Sequence, residues 1–300
     1  MKILVIGDFH GKIPKGLNKL IEKENIDLVV SLGDYAPFYY RKLWFKHCYG
    51  KDIELWEVIG KKKYKELVLE DLRRAEKVLK SLNNLSVPVF TVLGNVDWSA
   101  ADDIVDIKKP KGKRYWKWEE ERLRIFQKLL KKYKNIKRFD YRFLKFGDYI
   151  FIGMRGHSAP GKVKSKAFRK YKQKLENLFK KFSKENKQGK VIFVSHNIAH
   201  NTKLDKLSMK SVKFAQKSAG IENEKDVKRR RRHYGSKMAR RIIEKWQPIL
   251  HLGGHIHEAW GKDKIGKTTL INPGAVPEGK SAIITLDKEK GKVKNIRFLR

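Results

Sequence analysis

Five apolar runs in this chain end in the same way. "KILVIG" stops at Asp8 and His10, "DLVVSLG" at Asp34, "VPVFTVLG" at Asn95, "KVIFVS" at His196 and "PILHLGG" at His255 and His257. Each run is short and ends at Gly or Ser, the pattern of a buried strand. Segments with helical spacing lie between them, at 15–26, 63–83, about 116–134, 167–186 and 237–247. Strands alternating with helices predict parallel β-α-β units, the first joining 2–7 to 27–34. Such a chain is an α/β protein, and open α/β sheets carry their sites on loops just past the carboxyl ends of the strands.

The remaining stretches extend this frame. "YRFLKFGDYIFIGM" (141–154) reads as two strands around a Gly-Asp turn. "KIGKTTLINPGAV" and "SAIITLD" read as antiparallel strands with a turn at Pro273-Gly274. With no internal repeat and no low-complexity linker, residues 1–300 are expected to form a single domain. Its expected insertions fall at about 36–86, 100–140 and 200–232. At 300 residues and 40% hydrophobic composition there is ample material for a core. The lone cysteine, Cys48, excludes an internal disulfide framework and a cysteine-based zinc site. The apolar run after Met1 is shorter than a secretory signal, and no later run approaches a membrane span, so a cytoplasmic setting is expected.

The strand ends carry the chemistry. Asp8 and His10 are two residues apart, a spacing that in extended backbone sends both side chains to one side; His255 and His257 repeat it. Together with Asp34, Asn95 and His196 they make two carboxylates, one amide and four imidazoles. Two divalent metals with about four ligands each, sharing a carboxylate, use this set completely. Mixed oxygen and nitrogen donors suit Mn, with Fe, Zn, Ni or Co as alternatives, better than Mg or Ca. The neutral amide of Asn95 leaves such a centre net positive, which favours phosphate.

The ordered series D-x-H, G-D, G-N-x-D, H and G-H-x-H, spread from Asp8 to His257, resembles the calcineurin-like metallophosphoesterase superfamily. The stretch "GSKMARRIIEKWQPILHLGGHIHEAWGKDKIGKTTLINPGAV" resembles an archaeal and bacterial branch of it. The resemblance implies a four-layer α-β-β-α sandwich. It also implies that Asp8, His10 and His257 hold one metal, that Asn95, His196 and His255 hold the other, and that Asp34 bridges them. The implied reaction is phosphoester hydrolysis by a metal-bridging hydroxide.

The chain departs from the family at position 96. Much of the superfamily has a histidine after the asparagine, engaging the phosphate and assisting the leaving group; here Val96 cannot donate a proton. Branches without that histidine are typically described as phosphodiesterases. His233 in "RRHYGS", or His200 in "SHNIAH", is the candidate replacement. Asp97 is expected to accept a backbone N–H at the turn or to support a ligand imidazole. His251, between Leu250 and Leu252, reads as a hydrogen-bonded core residue, His157 as a rim residue, and His47 is assigned no role.

Charge points to the partner. Lys+Arg is 71 against Asp+Glu 33, a formal net of +38. Adaptation to heat enriches both signs, whereas here one sign dominates, as expected of a protein that meets a polyanion. Residues 228–241, "KRRRRHYGSKMARR", hold eight Lys/Arg, and Arg229, Arg230, Arg231 and Arg232 are candidate phosphate contacts. The stretches 38–49 and 108–118 interleave aromatics with cations, a mixture suited to base stacking. The expected function is a dinuclear phosphodiesterase acting on nucleic acid or a nucleotide-type substrate. The alternatives are a small-molecule phosphomonoesterase or cyclic-nucleotide phosphodiesterase, and a non-catalytic nucleic-acid-binding protein.

Overall fold

The computed structural model describes residues 1–48, 51, 53–97, 116–157, 166–185, 188–209, 211–212, 233–287 and 291–300. Its strands, in chain order, are β1 (Lys2–Ile6), β2 (Leu28–Ser31), β3 (Val89–Thr91), β4 (Ile136–Arg138), β5 (Phe143–Phe146) and β6 (Tyr149–Met154). They continue as β7 (Val191–Asn197), β8 (Leu250–Gly254), β9 (Gly261–Ile265), β10 (Thr268–Asn272), β11 (Ser281–Leu286) and β12 (Val293–Leu299). The helices are α1 (Leu17–Glu24), α2 (Arg41–His47), α3 (Leu55–Ile59), α4 (Lys61–Asn83), α5 (Lys117–Lys132), α6 (Lys166–Lys184) and α7 (Lys237–Trp246).

Two six-stranded mixed sheets form, ordered β12-β11-β1-β2-β3-β4 and β5-β6-β7-β8-β10-β9. A parallel block runs β1-β2-β3-β4 in the first and β6-β7-β8-β10 in the second; antiparallel strands β11 and β12 complete one side of the first, and β5 and β9 flank the second. Strand periodicity explains the layering. In β1, Ile3 and Val5 point into an inter-sheet core with Val30, Phe151, Val194 and Leu252, whereas Leu4 and Ile6 point the other way. The outer face of the first sheet packs on Leu17 and Ile21 of α1, Leu72 and Leu79 of α4, and Phe126 of α5. The outer face of the second packs on Phe168, Leu175 and Phe179 of α6 and Met238 and Ile242 of α7. Three apolar layers separate four structural ones, giving the α-β-β-α sandwich. Strands buried on both faces read as continuous apolar runs, which is why they stood out in the sequence.

The structure corrects several local readings. β4 falls within the stretch read as insertion 100–140 and extends the first sheet parallel to β3. It is three residues long with only Ile136 buried, too short for a period to register. The tail does not make one hairpin around Pro273-Gly274. β10 pairs with β9 in one sheet, while β11 crosses to the other and pairs with β1 and with β12, a strand the sequence reading lacked.

The aromatic stretch 38–49 is divided: Tyr40 and Cys48 are buried, Phe38, Trp44 and Phe45 half-buried, and Arg41, Lys42 and Lys46 exposed. Tyr40 packs on Phe38 and Tyr64, and Trp44 on Phe45. Tyr39 is the strongly exposed aromatic among the residues described there, at 59%. Of 108–118, residues 108–115 lie outside the described residues, while Trp116 and Trp118 pack on Trp56 and Tyr64. Among the described residues no helix is long and apolar enough to cross a membrane.

Candidate metal centre

Parallel strands put their carboxyl ends on one side, and the loops there converge. Asp8 and His10 follow β1, Asp34 follows β2, Asn95 follows β3, His196 lies near the end of β7, and His255 and His257 follow β8. Both sheets therefore contribute to one centre. His10 Nε2 is 3.2 Å from His257 Nε2, which is 3.2 Å from Asp8 Oδ1. Across the centre, His196 Nε2 is 2.9 Å from Asn95 Oδ1 and 3.3 Å from His255 Nδ1. Asp34 stands between the halves, its Oδ2 3.9 Å from His10 Nε2 and 3.5 Å from His196 Nε2. All seven residues singled out from the sequence are thus brought together.

The local backbone that achieves this was not the extended one expected. Asp8 (φ 52°), His10 (φ 44°), Asp34 (φ 58°) and His255 (φ 74°) all occupy the left-handed region, which costs non-glycine residues of order 1–3 kcal/mol each. The D-x-H spacing works through a tight turn instead. Asp8 N–H donates to the Gly33 carbonyl, His10 N–H to that of Asp34 and Gly11 N–H to that of Tyr35, locking the first two ligand loops together. Asp97 supplies a second lock. Its carboxylate, buried beneath the turn, accepts the N–H groups of Gly94 (2.8 Å), Asp34 (2.8 Å) and Tyr35 (2.7 Å). Of its two expected roles, it fills the turn role.

Two glycines are required by close approach. A Cβ on Gly94 would lie 1.9 Å from Asp34 Oδ1, and one on Gly254 would lie 2.5 Å from Asp8 Oδ2. The motif "LGN" therefore ends a strand with the residue that lets the next loop's carboxylate in.

The donor set fits divalent metals. His196 Nδ1 lies 2.8 Å from the Leu32 carbonyl and donates to it, which turns Nε2 to the centre. Nε2 faces the Asn95 oxygen. Two ligands each about 2.1 Å from one ion at right angles stand about 3 Å apart, the separation of these two atoms. Ligand atoms of Asp8, His10 and His257, and of Asp8, Asp34 and His196, all lie within 4.8 Å of one another in each group. Burial keeps His10 below the ordinary imidazole range and His255 well below it, leaving them neutral and free to ligate. At His196 and His257 burial acts the same way but the Asp34 and Asp8 charges outweigh it, raising both. The side chains of His10 and His257 remain 22% and 33% exposed against 0% for His196, and Asn95 is exposed, so the centre opens to solvent above those groups.

The other candidates separate clearly. Val96 is half-buried and donates its N–H to Asp34 Oδ1 at 3.0 Å. His251 is a core residue, as expected, bonded through Nε2 to Ser195 Oγ (2.8 Å). His157 is not at the rim: it is buried, with Nε2 2.8 Å from Ser236 Oγ and its N–H donated to Asn197 Oδ1. His47 sits half-buried on α2. His200 and His233 meet at Asp205, a buried carboxylate the sequence reading passed over. Lys280 was also missed; its Nζ lies 3.3 Å from the His257 carbonyl, and it pairs with Glu278. The run Arg229–Arg232 lies outside the described residues.

Comparison with known proteins identifies the family and the fold. A family model described as calcineurin-like phosphoesterase matches residues 1–259. An uncharacterized protein, MJ1162, of Methanocaldococcus jannaschii is 27% identical over 298 residues, covering 97% of this chain and 98% of its own length. One solved crystal structure superposes with a TM-score of 0.62 at 20% identity, covering 100% of this chain and 99% of the other. The crystal structure of TT1561 of Thermus thermophilus gives 0.50 at 15% identity, covering 100% and 99%. At these identities the two structures speak for the fold alone. The family model spans every strand-end loop of the centre, and with it the chain belongs to the calcineurin-like phosphoesterases, metal-dependent hydrolases of phosphoesters.

Proposed function

We propose that the chain is a dinuclear phosphodiesterase that acts on nucleic acid or a nucleotide-type substrate, with manganese as its working metal. The observation that carries this reading is the convergence of Asp8, His10, Asp34, Asn95, His196, His255 and His257 around one solvent-open point, with a valine beside the asparagine. Asp34 spans the two halves, with Asp8, His10 and His257 on one side and Asn95, His196 and His255 on the other. Bound divalent ions supply Lewis acidity at the phosphoryl group and lower the pKa of a water. The chain's part is to hold that point rigid through the Asp97 and Gly33 locks and to place an uncharged amide, Asn95, among the ligands, so that an anionic diester is attracted.

The nucleic-acid element of the proposal is supported by the net charge of +38 and by the order of the chain. The Arg229–Arg232 run is followed at once by His233, whose backbone pairs with Lys206 beside the turn that carries His255 and His257. Counterion release on binding a polyanion gives a log-log slope of about −0.9 per phosphate neutralised on duplex DNA.

The test is manganese-dependent hydrolysis of bis(p-nitrophenyl) phosphate. Asp34→Asn and His255→Ala are expected to abolish it; full activity in either variant sinks the assignment. Oligonucleotide binding at rising salt tests the partner. A steep slope supports a polyanion, and absence of binding at low salt leaves a small nucleotide-type ester as the substrate.

A further inference from the structure

Asp205 is fully buried, yet it carries two imidazoles. Its Oδ1 lies 2.6 Å from His233 Nδ1 and its Oδ2 lies 3.4 Å from His200 Nδ1. The same carboxylate accepts the N–H groups of Asn201 (2.9 Å), Thr202 (2.9 Å) and Gly235 (3.1 Å), so its position is fixed from three directions. The two rings meet edge to face with centroids 5.7 Å apart. Both remain partly exposed, His200 at 15% and His233 at 21% of the side chain. At His233 the carboxylate on Nδ1–H fixes the tautomer and leaves Nε2 on the side of the ring away from Asp205, while His200 stands at ion-pair distance.

The assembly is tied to the metal centre. The turn Lys203–Asp205 packs against His257–Ala259. Asn272 Nδ2 donates to the carbonyls of Ile256 (2.8 Å), Ala259 (3.1 Å) and Leu204 (3.5 Å), binding the Asp205 turn to the residue between His255 and His257. Glu258 accepts from Ser208 N–H and Ser211 Oγ, extending the same contact. Expulsion of an alkoxide from a phosphodiester calls for a proton. The ligand side chains are turned inward toward one another, Asp97 is taken up by three backbone N–H groups, and Val96 has no proton to give.

We infer that His233, aligned by Asp205 and braced by His200, is the catalytic acid that protonates the leaving oxygen. This rests on the phosphodiesterase reading above. In the step, the oxygen of the attacking water forms the new bond to phosphorus as the bond to the leaving oxygen breaks. That oxygen takes the proton from Nε2 of the His233 imidazolium. The proton shed by the water passes to solvent, and solvent reprotonates the ring. Asp205 is a positioning residue and His200 a second one.

The experiment compares manganese-loaded enzyme on matched diesters whose departing group is p-nitrophenol, a simple alcohol, or a thiol. His233→Asn is expected to lose about a hundredfold in kcat on the alcohol and less than about threefold on the other two, which leave without a proton. His200→Asn should show the same selectivity at smaller size. Asp205→Asn, read by the ratio of alcohol to p-nitrophenyl rates, should follow His233→Asn. A uniform loss on all three diesters, or no loss, in a folded His233→Asn protein overturns the inference. If the wild type is active, Asp34→Asn is dead and His233→Asn loses uniformly, only the proton donor is wrong. If the wild type hydrolyses none of the three, the phosphodiesterase reading falls and takes this inference with it.

Discussion

His196 turns Nε2 to the side-chain oxygen of Asn95 at 2.9 Å, because its other ring nitrogen is bound to the Leu32 carbonyl. Two ligand atoms held at that distance suit a shared divalent cation. Manganese binding is therefore expected to raise Tm, by the equivalent of about 2.7 kcal/mol at a free concentration a hundred times Kd, and a chelator should reverse it. Thermal melting across a manganese series checks this. Asp34→Asn should flatten the response, because it removes charge from the group that stands between both halves.

Gly94 faces Asp34 so closely that an added Cβ would lie 1.9 Å from Oδ1. Gly94→Ala should displace the Asp34 loop or the Asn95 loop. The expected cost is about 1–3 kcal/mol, the range for overpacking, with a larger loss of metal affinity than of fold. Parallel chemical denaturation and manganese titration separate the two. An alanine variant with wild-type affinity would show that the loop carrying Asp34 has room to move.

These glycines illustrate what the sequence made legible and what it did not. Strands β1, β2, β3, β7 and β8 were readable because both faces are buried, and each ends at a ligand, so the seven-residue set could be named from order alone. The turns at Asp8, His10, Asp34 and His255 were not readable, since positive φ in a non-glycine residue is imposed by neighbouring loops rather than by local preference. The pairing of His200 and His233 through Asp205 was equally hidden. It needs Asp205 and His233, 28 positions apart, to meet across residues 213–232, which lie outside the described residues, and no short-range pattern encodes it. The crossing of the tail from β10 to β11 between sheets escaped because both strands are apolar and either sheet could have taken them.

Asp97 binds three N–H groups with two oxygens, one of them shared by Gly94 and Asp34. Burial, with the Asp34 charge beside it, pushes its carboxyl up to about 7, against the pull of those N–H donors. Asp97→Asn leaves one oxygen and turns an NH2 toward a backbone donor. A loss of about 1–3 kcal/mol is expected, the cost of a buried polar group left unpaired, together with weaker manganese binding. Wild-type values for both quantities would show that the three bonds do not hold the ligand loops.

Asp71 on α4 gives a pH-dependent prediction away from the centre. It is fully buried and accepts the Tyr39 N–H through Oδ1. Burial pushes its carboxyl up to about 6, only partly offset by the Tyr39 and Phe38 N–H groups. The folded state therefore holds this proton more tightly than the unfolded one, whose value is 3.8. Its contribution is most favourable below that value, declines as pH rises through the window up to about 6, and stays lost above it. Asp71→Asn keeps an acceptor for Tyr39 and carries no charge, so it should stabilise the protein at pH 7.5 by up to about 3 kcal/mol, since each tenfold difference in proton affinity between the two states is worth about 1.36 kcal/mol. Near pH 4 the advantage should nearly vanish. Denaturant unfolding of chelator-treated wild type and variant from pH 4 to 7.5 measures the difference directly. A gap that stays constant with pH would mean that the Asp71 carboxyl is not the group that titrates.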